Sequence, residues 1–136
     1  MFNKISRLFD KYTTKCGTSN KSQEIAILTD NAENNIVKDL VKDYLNCEIK
    51  SDITNTKDFA DSCIICILYE NARSYIKILD FINECIDNKK TVILIVGLKF
   101  DFNMIVKESI ANSIDAISWK TENGKKNPEY IIVMSK

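Results

Sequence analysis

The sequence predicts an α/β protein: a three-layer α/β/α sandwich on a mostly parallel sheet of five or six strands. Three observations carry that prediction. Largely apolar runs at 24–28, 63–68 and 91–96, broken only by Glu24 and Thr91 at their starts, are too continuous for half-exposed strands and suit strands covered on both faces. Between them lie segments whose apolar residues recur every three to four positions, the period of a helix with one buried face. Alternation of the two types predicts crossover connections, which make neighbouring strands parallel and place helices over both sheet faces.

The elements follow in order. Phe2, Ile5, Leu8, Phe9 and Tyr12 recur at helical spacing with Lys4, Arg7 and Lys11 between them, so residues 1–13 form an amphipathic stretch. It lacks the continuous apolar core of a secretory signal. A polar linker with Gly17 and Thr18-Ser19-Asn20-Lys21-Ser22 comes next. The chain thus divides into an N-terminal segment, 1–22, and a single α/β domain, 23–136. Glu24-Ile25-Ala26-Ile27-Leu28 is the first buried strand. A helix over 31–45 would bury Ile36, Val37, Leu40, Val41, Tyr44 and Leu45. Residues 47–53 alternate apolar with polar, as expected nearer a sheet edge. After a polar link comes the strand at 63–68, then a helix over 74–87 with Ile76, Ile78, Leu79, Ile82, Cys85 and Ile86 inward. The strand at 91–96 ends at Gly97, and a third helix is predicted over 103–112, with Ile105, Val106 and Ile110 inward. Two last strands, 116–119 and 130–134, flank a turn-rich connection whose Asn123-Gly124 pair favours a hairpin.

Composition narrows the function. A chain of 136 residues with 45% hydrophobic and 28% charged residues fits one globular domain. Lys+Arg and Asp+Glu both number 19, so the net charge is zero, which argues against a nucleic-acid binder. The absence of histidine removes the commonest general base and metal ligand. An odd count of five cysteines (Cys16, Cys47, Cys63, Cys66, Cys85) predicts reduced thiols and a cytoplasmic setting. Cys63-Ile64-Ile65-Cys66 has CxxC spacing but sits in an apolar run. Residues three apart on a strand face opposite sides, so both sulfurs are expected in the core.

With the elements placed, residues 24–134 resemble the flavodoxin-like group in element order and lengths. Asp58-Phe59-Ala60-Asp61-Ser62-Cys63-Ile64-Ile65-Cys66-Ile67-Leu68 is similar to that family's approach to its third strand. The resemblance implies an FMN site, its phosphate held by a Thr/Ser-x-Thr-Gly-Asn-Thr loop. The matching Asp30-Asn31-Ala32-Glu33-Asn34-Asn35 keeps only Asn34, and Leu68-Tyr69-Glu70 stands near the family's Pro-Thr-Tyr. The cofactor-binding residues so implied are Asn31, Asn34, Asn35 and Tyr69. The chain also looks like fragments of a small P-loop GTPase. Residues 29–36 have the length of its phosphate loop with every diagnostic residue replaced. Leu98-Lys99-Phe100-Asp101 retains the Lys and Asp of its guanine-reading motif, and Ser135-Lys136 falls where its last base-reading segment would begin. That resemblance implies a pseudo-GTPase scaffold, because no switch region is present.

Beyond strand ends, Asp30, Glu70 and Asp101, with Lys99 nearby, form a candidate Mg²⁺ set, since hard cations prefer carboxylate oxygens. The competing reading makes Asp30 or Asn31, and Asp101, helix N-caps. The resulting expectation is a non-catalytic protein-interaction or regulatory module with a decayed flavin or nucleotide loop and no cofactor. Its partner would be another protein or a second copy, met through Phe2, Ile5, Leu8 and Phe9 and an exposed sheet edge at 131–134. Weak contact of the N-terminal stretch with a membrane surface is a further expectation. The alternatives are an FMN electron carrier, a Mg²⁺-dependent enzyme, or the GTPase-like scaffold.

Overall fold

The computed structural model describes residues 9, 11, 25–44, 47–51, 62–70, 75–96, 105, 107–118 and 130–136. Among them six strands and two helices alternate: β1 (Ile25–Thr29), α1 (Asn35–Asp43), β2 (Glu48–Lys50), β3 (Ile64–Tyr69), α2 (Tyr75–Asp87), β4 (Thr91–Val96), β5 (Ser113–Ser118) and β6 (Tyr130–Ser135). One mixed sheet holds all six strands in the order β2-β1-β3-β4-β6-β5. The pairings β1–β2, β1–β3 and β3–β4 are parallel, with Ile27 opposite Ile49 and Cys66, and Cys66 opposite Ile93. β6 runs antiparallel to both β4 and β5.

Strand alternation sorts the core into two clusters on opposite faces. With α1 pack Ile25, Ile27, Ile64, Cys66, Leu68, Ile93, Ile95, Ile131 and Val133. With α2 pack Ala26, Leu28, Ile65, Ile67, Tyr69, Val92, Leu94, Ile132 and Met134. Central strands feeding both clusters explain the uninterrupted apolar runs. β1 to β2 and β3 to β4 travel in opposite directions along the sheet, and right-handed crossovers would send such connections to opposite faces.

Helix ends are set by local chemistry. Asn34 is the N-cap of α1, its Oδ1 accepting from the Ile36 amide at 2.8 Å, so α1 begins several residues beyond the expected Asp30 or Asn31. Asn31 instead closes the preceding turn, accepting from the Glu33 amide at 3.0 Å. α2 ends in a Schellman motif: the Lys90 amide reaches the Cys85 carbonyl at 3.0 Å and the Lys89 amide the Ile86 carbonyl at 2.9 Å. Lys89 takes the left-handed position, at φ 63°. The buried Lys90 then donates through Nζ to the Ser62 carbonyl at 2.6 Å. In the expected third helix, Ile105, Lys107 and Glu108 are helical and the Ser109 amide bonds the Ile105 carbonyl. The helix ends earlier than expected, since residues 109–112 are not helical and Ile110 is exposed.

One expectation fails outright. Residues 131–134 do not form an exposed edge, because β6 lies between β4 and β5 and these side chains are at most 4% exposed. A strand that returns antiparallel beside its hairpin partner fills the gap next to β4, leaving β5 as the outer strand. The face shared by β4 and β6 with α1 is also covered, and Phe9, fully buried, belongs to that cluster. Among the described residues, no helix is long and apolar enough to cross a membrane.

Candidate functional site

The strand order reverses between β1 and β3, since β2 lies to one side of β1 and β3 to the other. In such sheets the crevice beyond the carboxyl ends of these two strands is the natural ligand position. Thr29 closes β1 fully buried, its Oγ1 accepting from the Asn31 amide at 3.1 Å and donating to the Asn31 carbonyl at 3.3 Å. That turn lifts Asn31 and, one bend later, Asn34 toward the end of β3. There Glu70 follows Tyr69 directly, and its carboxylate is gripped from both sides. Asn31 Nδ2 donates to Oε2 at 2.6 Å and Asn34 Nδ2 to Oε1 at 3.1 Å. The Glu70 amide in turn donates to Asp30 Oδ1 at 2.9 Å. The crevice is thus laced by three hydrogen bonds between loops 36 to 40 residues apart.

The electrostatics are those of an anion already in place. Asp30 and Glu70 stand at the ends of β1 and β3, and Lys38 forms an ion pair with Glu33 at 2.9 Å. A phosphate seated about 4 Å from the Glu70 carboxylate would meet roughly 1 to 4 kcal/mol of repulsion per charge, depending on how much water screens it. It would also compete with the two exposed side-chain amide hydrogen bonds to Glu70.

Of the residues expected to bind a cofactor, Asn31 and Asn34 meet on Glu70. Asn35 is exposed as the first residue of α1, and Tyr69 is 7% exposed within the α2-side core. Of the metal set, Asp30 and Glu70 are joined through the Glu70 amide. Asp101 and Lys99 lie outside the described residues, as do Phe2, Ile5 and Leu8. Among the described residues, no cluster of three or more Cys, Asp or Glu could hold a metal ion. Phe9 is fully buried, with its ring centroid 6.4 Å from that of Tyr44. The link between Glu70 and the two asparagines is the feature sequence reasoning missed. The signal available was an acid directly after one central strand and two asparagines after the other.

The cysteines depart from the reading of uniformly reduced thiols. Cys63 is disulfide-bonded, whereas Cys47, Cys66 and Cys85 are free. Cys63 precedes β3 and packs against the α1-side cluster that also contains Cys66, so strict alternation did not apply to it. Burial pushes the Cys47 thiol up to about 11. Burial pushes Cys85 up to about 12, with Lys90 opposing and Glu84 reinforcing the rise. Cys66, fully buried, is raised further, first by burial and then by Cys47. Protonated thiols of this kind are poor nucleophiles and poor metal ligands at neutral pH.

No protein-family model matches the chain, and no curated protein is similar enough to count as a relative.

Proposed function

We propose that this chain is a non-catalytic, flavodoxin-like three-layer module that works by binding protein, with its cofactor crevice closed by its own Glu70. The observation that carries the reading is the Glu70 carboxylate held between the side-chain amides of Asn31 and Asn34. A loop that ordinarily surrounds a ligand's anion here surrounds an internal one. The side-chain amides of Asn31 and Asn34 are already engaged by Glu70, and Asp30 accepts from the Glu70 amide. The partner in this reading is another protein or a second copy of the chain.

Deletion of residues 1–22 is a poor test of partner binding, because it removes Phe9 from the core. The informative experiment uses the intact chain, with thermal unfolding against FMN, guanine and adenine nucleotides and Mg²⁺, and sedimentation to read self-association. Ligand at a hundredfold its Kd would raise the melting temperature by roughly 10 °C. The expected result is no shift with any of them, and a saturable rise with one would overturn the closed-crevice reading.

A further inference from the structure

We propose that β2 is a self-pairing edge, at which a second copy of this chain adds its own β2 in antiparallel register about Ile49. The inference rests on the protein-binding reading above and names its partner and surface. Among the described residues β2 is an outer strand of the sheet, with β1 as its neighbour. Alternate residues of such a strand turn their N–H and C=O groups outward, a template for another strand. The residues of Glu48-Ile49-Lys50 select its own copy as that strand. Ile49 is 40% exposed, although it stands opposite the fully buried Ile27. Glu48 and Lys50 stand opposite Ala26 and Leu28, on the other face, and form an ion pair at 3.2 Å.

Two identical strands pair antiparallel, edge to edge, about a two-fold axis normal to the sheet, so directly opposed residues share a face. An axis through Ile49 sets the two Ile49 side chains against each other. It sets Glu48 opposite Lys50 of the second copy, and Lys50 opposite that copy's Glu48. Both cross-strand pairs then join unlike charges, which is favourable, whereas like charges directly opposed are not. The same charges fix the register. Moving the axis one residue either way would set Glu48 against Glu48, or Lys50 against Lys50. The other outer strand, β5, offers no such match, because Asp115 is its one charged residue. A seam of three residues is short, and small interfaces are transient, so the dimer is weak and concentration-dependent.

The test is sedimentation of the full chain from micromolar to millimolar concentration, with charge swaps at the seam. The wild type is expected to pass from monomer toward dimer over that range. Glu48→Lys and Lys50→Glu each place like charges across both pairs and are expected to weaken the dimer about tenfold. An equimolar mixture of the two single variants is expected to associate again, because a strand of one sign then faces a strand of the other. That recovery separates the seam from any role of the Glu48–Lys50 pair within one chain, which mixing cannot restore. A wild type monomeric throughout, a dimer unaffected by either swap, or no association on mixing would overturn the β2 seam. A monomeric wild type would still leave binding of a different protein intact. A saturable ligand shift in the thermal screen would instead sink the closed-crevice reading and leave the seam standing.

Discussion

Lys89 holds a backbone conformation that glycine would adopt at no steric cost. Its φ of 63° is imposed by the two crossed hydrogen bonds that end α2, and a Cβ is unfavourable there. Lys89→Gly is therefore expected to stabilise the fold by about 0.5–1 kcal/mol, read from the urea midpoint, because relief of strain outweighs the added freedom of the unfolded chain. The cysteines set a second expectation. Cys47 and Cys85 hold their protons to about pH 11 and 12 in the folded protein, against an ordinary value near 9. Between those limits the folded state binds more protons than the unfolded one, so stability is fully present below pH 9 and falls as pH rises through that window. Urea midpoints from pH 8 to 11 should drop, and the slope should be shallower in Cys85→Ala. Equal slopes would show that this thiol is not protected. Neither effect can be read from sequence, where a lysine after a helix and a cysteine in an apolar run look unremarkable.

At the scale of elements, apolar periodicity carried most of the information. β4 begins and ends where its apolar run does, and α2 differs from expectation by one residue at its start. The departures have physical causes. α1 starts at Asn35 because Asn31 and Asn34 both bond backbone amides, and the nearer of them to the helix acts as its cap. Asn34→Ala should cost about 1 kcal/mol through the lost cap, more if release of Glu70 adds to it. The amphipathic pattern of residues 1–13 does not name its target, since it is the same for a helix packed on its own sheet and one packed on a partner. The burial of Phe9 against Tyr44 decides that question for this residue. Phe9→Ala should cost about 3–5 kcal/mol in urea unfolding, the loss typical of a fully buried aromatic. A change below about 0.5 kcal/mol, the range of surface substitutions, would place the side chain outside the core.

For the whole molecule, fold class was legible and strand order was not. Alternating apolar runs and helices prescribe an α/β sheet, but nothing local tells β6 to enter between β4 and β5. The same limit hid the site. Glu70 and Asn31 are 39 residues apart in sequence and become neighbours only because β1 and β3 are adjacent at the point where strand order reverses. That topology sets the ends of β1 and β3 side by side, where the side chains of Asn31 and Asn34 hydrogen-bond the Glu70 carboxylate. The most direct test follows the backbone amides of residues 29–36 and 70 by nuclear magnetic resonance while FMN and inorganic phosphate are titrated into the intact, isotopically labelled chain. A crevice closed by Glu70 leaves those resonances where they began up to millimolar ligand, whereas saturable movement centred on Asn31, Asn34 and Glu70 would contradict the account.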